Sequence, residues 1–284
     1  MEASTTKAPG AAGARIIEPP KGWMLPDLRE VWAHRDLIYF LIRRDVVVRY
    51  KQAVVGAAWA VVQPMLLAVV FSVFFGLLAK VPSAEGVPYP LLVVSGMVMW
   101  LSFSNATERA ASSTLENQAL ISKIYLPRVI IPLAAVVPSF IDFLFGFAVV
   151  VTAALAYGFV PDVRILAMPV FLFLAVMIAL GAGLWLSALN VKYRDVGLLI
   201  PFVILVGMFI TPIAYPIDLI PENLQAVYSI NPMVGVIEGF RWSLALGTAW
   251  PGELLLISVG AGLVLLVTGA LYFKRAEHAF ADVI

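Results

Sequence analysis

Polar side chains that could form ion pairs and hydrogen bonds gather at residues 186–195, between two apolar stretches. Each stretch is long enough to cross a bilayer, whereas this polar turn carries Asn190, Tyr193, Arg194 and Asp195. Such groups are costly to place in lipid, so the polar turn should lie at the membrane surface. Because Arg194 and Asp195 cannot face each other on one helix, each should find a partner elsewhere. We expect the polar turn to tie the two apolar segments together and not to bind substrate.

Asp142 lies inside an apolar stretch, where an acid is by default a candidate functional group. One interpretation is a direct role in the protein's activity. The other is a polar clamp, in which the carboxylate pairs with a hydroxyl or amide of a neighbouring span. No second acid lies nearby in the sequence, which favours the clamp.

Residue patterns for catalysis and metal binding are missing from the sequence. There is no cysteine, and the two histidines, His34 and His278, lie far from any acidic cluster. Thiolate chemistry, disulfides and a metal site are therefore not expected. The sequence has no GxxxxGK[ST] phosphate loop and no GxSxG motif, so we expect no ATP hydrolysis and no enzyme activity. A net charge of +1 gives no indication of nucleic-acid binding.

Composition indicates that the bilayer is the solvent of this chain. Hydrophobic residues make up 62% of the 284 residues and charged residues 13%, compared with roughly half and a quarter in soluble domains. Six stretches qualify as spans by length and lack of charge, which predicts an all-α integral membrane protein. They cover approximately residues 58–79, 90–106, 129–157, 165–189, 196–215 and 254–273.

The distribution of positive charge predicts the orientation. Sixteen lysines and arginines lie before the first span, in the second-to-third and fourth-to-fifth connections, and after the last span, whereas the other side has only Lys80, Arg164 and Arg241. Under the positive-inside rule, both termini should be cytoplasmic. Residues 1–34 lack the apolar core of a signal peptide and should form a disordered cytoplasmic tail, which leaves residues 35–284 as the transmembrane domain.

Three further segments carry apolar residues without forming a full span. Residues 35–51 have an apolar and a basic face, which favours a helix in the membrane interface over a solvated helix of a soluble subdomain. Residues 112–128 form a second amphipathic piece or a simple loop. Residues 216–252 are too apolar for a loop and are interrupted by Pro221 and Pro232, so we expect two re-entrant helices before the last span.

Short motifs occur in order through the chain from about residue 35. They are Arg44-Asp45, Arg49-Tyr50, Gly56, Trp59, Gln63-Pro64, Pro88-Tyr89-Pro90, Gly96, Trp100, Asn117, residues 123–128 (KIYLPR), Pro132, residues 183–195 (GLWLSALNVKYRD), residues 211–216 (TPIAYP), Asn231-Pro232 and Gly239-Phe240-Arg241. With these motifs the sequence resembles the membrane subunit of ABC-2 type exporters, in particular the permeases of O-antigen, teichoic acid and related polysaccharide export.

The resemblance implies a homodimeric permease of the cell inner membrane, with two copies of a separate ATPase subunit on its cytoplasmic face. The ATPase would bind ATP and Mg²⁺, so no cofactor is expected in this chain. The cargo would be a lipid-linked polysaccharide. The region that contacts the ATPase would include Asn117, Ile121, Lys123, Tyr125 and Arg128.

A channel for a sliding polymer needs a wall that neither repels sugar hydroxyls nor binds them tightly. Aromatic faces with occasional hydroxyls meet this need, and the resemblance implies that the first and fifth spans line the channel. The candidate lining residues are Trp59, Phe71, Trp100, Phe103, Thr211 and Tyr215. The alternative is that the tryptophans anchor the chain at the membrane interface.

Other functions remain open from the sequence. An ABC-2 type exporter of teichoic acid, capsule polymer, a drug or a small lipid would share the same motifs. A membrane glycosyltransferase would need clustered acids at one membrane face, and the sequence offers none. A structural membrane scaffold is the remaining alternative. Loss of export after deletion of the gene for this chain would argue against it.

Overall fold

The structure, a computed structural model, describes residues 25–51, 54–124, 126–193 and 195–277. These residues form helices and connections, without a strand among them, as the composition predicts. The α-helices are α1 (Leu28–Ala33), α2 (Arg35–Lys51), α3 (Val54–Phe71), α4 (Tyr89–Glu116), α5 (Gln118–Ile121), α6 (Ile130–Val136), α7 (Pro138–Ala156), α8 (Met168–Lys192), α9 (Val196–Phe209), α10 (Glu222–Tyr228), α11 (Pro232–Ser243) and α12 (Gly252–Ala276). Three short elements complete the described fold: a π-helix at Ser72–Leu78 and 3₁₀-helices at Val163–Ala167 and Ile217–Leu219.

Five helical segments in the described residues are long and apolar enough to cross a membrane. They are Ala58–Leu78, Tyr89–Glu116, Ile130–Ala156, Val163–Lys192 and Gly252–Ala276. The segment expected to be the fifth of six spans, residues 196–215, is the 14-residue helix α9, which ends at Phe209. Residues 211–216 leave the helix because Pro212 and Pro216 lack the backbone N–H that would extend it.

Helix α4 differs most from the sequence expectation. The second span was expected to end near residue 106, with residues 112–128 as a separate amphipathic piece, but α4 continues to Glu116. Its polar half is helical because it packs against α8, where a Cβ on Gly183 would lie 2.4 Å from the Ala110 Cβ. Farther along the same contact, the hydroxyls of Thr114 and Ser187 share a hydrogen bond of 2.7 Å. Small residues thus let a polar helix pack closely inside the protein.

Helix α2 begins and ends where the amphipathic pattern predicts, at Arg35 and Lys51. Its apolar side rests on α6, with Leu41 only 2% exposed in a cluster with Ile130 and Ala134. The N-terminal tail differs from the expectation at its end: α1 precedes α2, and the side chain of Asp27 caps it by accepting a hydrogen bond from the Arg29 N–H.

The connections meet at two ends of the helix bundle. The basic end comprises α1, α2, residues 117–124 and 126–129, Tyr193, Asp195 and the C-terminal turn of α12. The far end comprises residues 79–88, 157–167, 210–231 and 244–251. The two short helices expected before the last span are present at the far end as α10 and α11. Helix α11 is almost wholly buried among the neighbouring helices.

Candidate functional site

A buried contact at the basic end joins the amphipathic helix to the bundle. Arg49 of α2 forms an ion pair with Asp142 of α7, and the Tyr50 hydroxyl donates to the same carboxylate at 2.5 Å. Burial raises the pKa of Tyr50, and the hydrogen bond to Asp142 raises it further, so the phenol stays protonated and donates. Asp142 is therefore a clamp, but its partners lie on α2 and not on a neighbouring span as expected.

A second contact from α2 reaches the segment after α4. The Arg44 guanidinium donates to the Asn117 side-chain oxygen at 3.0 Å, and Asn117 donates back to the Ser113 carbonyl at 2.8 Å. Both Arg44 bonds, including an ion pair with Asp45, lie at the protein surface. Asn117 is thus the point where α2 meets the predicted ATPase-contacting segment.

The rest of that predicted segment divides into an exposed part and an anchored part. Lys123 and Ile124 are exposed and Ile121 is half-buried, whereas Tyr125 lies outside the described residues. Arg128 donates from its backbone to the Glu277 carboxylate at 3.2 Å and from its guanidinium to the Glu277 carbonyl. The C-terminus of α12 therefore holds one end of the segment and leaves its middle open.

The polar turn is only partly buried in the bundle. Asn190 is 4% exposed and donates to the Ala111 carbonyl of α4 at 3.2 Å. Its side-chain oxygen lies 2.9 Å from the position that a Cβ on Gly197 of α9 would occupy, so Asn190 sits between α4 and α9. Tyr193 and Asp195 are exposed, and Arg194 lies outside the described residues. The tie between helices thus depends on Asn190, while no contact from Asp195 to α2 or to residues 112–124 is seen in the described part of the chain.

Two polar cavities at the basic end lie beside these contacts. One of about 540 Å³ lies between α4 and α9 and includes Asn190 in its wall. The other, of about 360 Å³, lies between α2 and α4 and includes Arg44 and Asn117. Arg109 and Glu116 line both cavities, and the sequence reasoning gave neither residue a role. The signal in the sequence was an acid and a base seven residues apart. This spacing places both side chains on one face of a helix, but the segment was interpreted as a connection between spans.

The candidate lining residues do not share one surface of the chain. Trp59 is 53% exposed on α3, whereas Phe71, Trp100 and Thr211 are 8%, 4% and 0% exposed. Trp100 packs against Phe103, with ring centroids 5.2 Å apart, and its ring would touch a Cβ on Gly207 of α9. The expectation of an open wall is therefore not met by these three side chains. The rings of Phe71 and Trp100 are buried among apolar neighbours, and the Thr211 hydroxyl is buried with hydrogen bonds to the Gly207 carbonyl and the Asn231 amide.

Tyr215 belongs to a hydrogen-bonded group at the far end. Its hydroxyl donates to the Phe209 carbonyl at 3.0 Å and bonds the Tyr228 hydroxyl. Burial raises the pKa of Tyr228, with a further rise from Tyr215. The Asn231 amide donates to the Thr211 hydroxyl at 2.9 Å, so the polar members of the predicted pathway fix the turn after α9.

A fully buried arginine organises the far end, and sequence reasoning missed it. Arg241 of α11 is 0% exposed and forms an ion pair with Glu238 at 2.8 Å. Its guanidinium also donates to a set of oxygens on α4 and on the turn after α9: Leu92 O at 2.9 Å, Pro212 O at 2.8 Å, Ile213 O at 2.9 Å and Ser95 Oγ at 3.4 Å. The signal in the sequence was an acid and a base three residues apart within an apolar segment.

Similarity to known proteins covers most of the chain. Residues 36–245 match the ABC-2 type transporter family. An O-antigen export system permease of Klebsiella pneumoniae is 28% identical over 88% of this chain and 95% of its own length. A protein of the same description from Myxococcus xanthus is 24% identical over 91% and 99%.

A polysialic acid transport protein of Escherichia coli is 21% identical, over 84% of this chain and 93% of its own length. The helical fold, the amphipathic helix before the first span and the match over residues 36–245 lead to one conclusion. The chain belongs to the ABC-2 type transporter family.

Proposed function

We propose that this chain is the permease subunit of an ABC exporter that moves a lipid-linked polysaccharide of the O-antigen type across the inner membrane. The observation that carries the proposal is the near full-length similarity to export permeases, which extends over 95–99% of two such relatives. A short shared motif could reflect fold alone, whereas similarity over 88–91% of this chain extends well beyond any single motif. The chain acts as a transport subunit and not as an enzyme.

Energy comes from a separate ATPase that docks at the basic end. The sequence has no phosphate loop of its own. Lys123 and Ile124 supply an exposed basic and apolar surface between two anchored points, Asn117 and Arg128. Movement of this segment would reach the bundle through α2 and Asp142. ATP and Mg²⁺ bind to the ATPase, and two ATPase copies serve two permeases.

The pathway lies between two copies of this chain. Helix α3, the π-helix that follows it and helix α9 present exposed apolar side chains, among them Leu66, Phe74, Leu198 and Phe202. A second copy that covers part of these faces would enclose a channel with few fixed charges, through which a polymer can slide. Trp59 lies exposed on this face, with Tyr215 near the turn after α9.

The basic end faces the cytoplasm in this proposal, and α9 serves as the fifth of six spans. Its 14 residues extend only about 21 Å, which is short for a hydrocarbon core of about 30 Å. In this proposal the buried helix α11 occupies the remaining thickness of the hydrocarbon core at the far end. Reporter fusions after Ser83 and Glu222 should report an external location, and a cytoplasmic signal at either site would contradict the topology.

Deletion of the gene tests the proposal. The deletion strain should retain its lipid-linked glycan inside the cell, and a plasmid copy should restore it to the surface, as measured by surface labelling and whole-cell glycan analysis. The ATPase should co-purify with the tagged chain. Normal surface glycan with altered drug or lipid efflux would instead support the alternative cargo.

A further inference from the structure

A cavity of about 280 Å³ lies at the far end, beside the buried Arg241 and apart from the predicted pathway. Its walls come from residues 84–85, 216–218 and 247–251, together with single residues of α4, α10, α11 and α12. The polar and aromatic wall residues are Glu85, Asp218, Gln225, Glu238, Thr248 and Trp250. Its volume is near the lower limit for small-molecule sites, so it fits one compact unit and not a chain of them.

Trp250 gives the cavity an aromatic surface. Its side chain is half exposed, and its ring packs edge-on against Trp242 with centroids 4.7 Å apart, and near Phe171 at 6.4 Å. The two neighbours hold the indole in place and leave part of it open. An indole held in this way offers an apolar platform for the C–H face of a sugar ring and also attracts an ammonium group.

Hydrogen-bonding groups in the same wall are held in place by the protein. One oxygen of Glu238, which is 6% exposed, accepts from Arg241 at 2.8 Å. Gln225 donates its side-chain N–H to the Ile220 carbonyl at 2.9 Å, which fixes the orientation of its amide oxygen. The Thr248 hydroxyl oxygen is buried without a hydrogen-bond partner among the described residues. A buried polar atom of this kind calls for a ligand or water that satisfies it.

The charges of the cavity restrict the ligand class. Arg241 matches Glu238, whereas Glu85 and Asp218 form no ion pair within the described part of the chain. The excess negative charge repels phosphates and carboxylates and favours groups that donate hydrogen bonds. The described residues contain no acid cluster suited to a metal ion.

We propose that this cavity binds one neutral or amino sugar unit of the exported glycan as the glycan reaches the far end. The source of the sugar rests on the proposed export function, whereas the ligand class rests on the cavity itself. Sugar hydroxyls donate to Asp218, Glu238 and Gln225, and the ring stacks on Trp250. The binding is weak, since a tight site would stall a moving polymer.

The test uses the full-length chain co-purified with its ATPase in lipid nanodiscs, with binding followed by saturation-transfer NMR. The probes are the methyl glycosides of glucose, glucosamine and glucuronic acid. The first two should bind and the glucuronide should bind at least about tenfold more weakly. Trp250→Ala should weaken glucoside binding about fivefold or more, whereas Trp32→Ala, an exposed tryptophan on α1, should leave it unchanged. Asp218 lies at an exposed position. Asp218→Asn removes one negative charge and should reduce the difference in binding affinity between the glucoside and the glucuronide.

Absence of glucoside binding to the wild type, equal binding to the Trp250→Ala variant, or a preference for the glucuronide would each overturn the sugar site. A glucoside signal that Mg²⁺ alone abolishes would also overturn it, because it would assign the cavity to a cation. These outcomes are separate from the deletion test. If deletion abolishes surface glycan but the glucoside does not bind, only the sugar site is rejected. If deletion leaves surface glycan normal but the glucoside binds, only the export function is rejected.

Discussion

Helix α4 is held in different ways at its two ends. At the far end, Arg241 binds the Leu92 carbonyl from a fully buried position and ties α4 to the turn after α9. At the basic end, α4 is followed by Asn117, which accepts a surface hydrogen bond from Arg44. Buried charged networks are costly to disrupt, whereas exposed polar contacts contribute little to stability. The far end of α4 is therefore suited to fix the fold, and the surface contact at Asn117, where the proposed ATPase-docking segment begins, is suited to move when a partner moves.

The largest effect on stability is expected at the far end. Arg241→Leu leaves buried Glu238 without its ion-pair partner and removes the guanidinium bonds to three backbone carbonyls, so the free energy of unfolding should fall by about 3–5 kcal/mol. Thermal unfolding of the purified chain in detergent measures this loss. Arg164→Leu is the matched control, an exposed arginine at the same end, and should cost less than about 1 kcal/mol. Equal losses in the free energy of unfolding for the two variants would contradict the view that the buried network stabilises the fold more than the exposed contact does.

An intermediate effect is expected where α2 meets α7. Asp142→Ala leaves the Arg49 guanidinium and the Tyr50 hydroxyl without an acceptor, and should lower the free energy of unfolding by about 2–3 kcal/mol. Asp142→Asn keeps an acceptor for Tyr50 and should cost less. The two variants are compared by thermal unfolding and by proteolysis of α2. An unchanged melting temperature for Asp142→Ala would show that α2 does not depend on the clamp.

A small effect on stability is expected at the Arg44–Asn117 contact. A double-mutant cycle with Arg44→Ala and Asn117→Ala should give a coupling energy below about 1 kcal/mol for unfolding. The same variants should lower the amount of glycan exported per ATP hydrolysed, because the contact joins α2 to the proposed ATPase-docking segment. A large loss of stability, or a normal amount of glycan exported per ATP hydrolysed by both variants, would contradict a contact that moves with the ATPase.

The smallest effect on stability is expected at Trp59. Its side chain is half exposed on α3, so Trp59→Ala should shift the free energy of unfolding by less than about 1 kcal/mol. Export should fall if the ring lines the pathway between two copies of the chain. Trp32→Ala, at a more exposed tryptophan on α1, should change neither quantity. Normal export by Trp59→Ala would assign Trp59 to the lipid surface.

The sequence predicted the apolar segments better than the polar half of α4. The bounds of α2 and the apolar cores of five predicted spans followed from periodicity and length, because both signals are local in the sequence. The polar half of α4 could not be predicted, since its helical state depends on close packing against Gly183 and Ser187 of α8. Local composition contains no information about such a partner.

The Arg241 network escaped prediction for a related reason. Arg241 was counted among three positive charges of the less basic side, and nothing in the sequence paired it with carbonyls 28 or 29 residues away. The same bonds to the Pro212 and Ile213 carbonyls hold the turn that follows Phe209, where the two prolines end the fifth predicted span. Asp142 was recognised as unusual, but its partners on α2 could not be identified from one sequence.

Reconstitution tests the central claim most directly. The chain and its co-purifying ATPase are placed in liposomes with a lipid-linked glycan, and the accessibility of the glycan to an external glycosidase is measured with and without ATP. Glycan that begins on the ATPase side should become accessible on the opposite side only when ATP and both proteins are present. Accessibility that appears without ATP, or that does not change while the ATPase hydrolyses ATP in the presence of this chain, would contradict the assignment of this chain as the permease of a polysaccharide exporter.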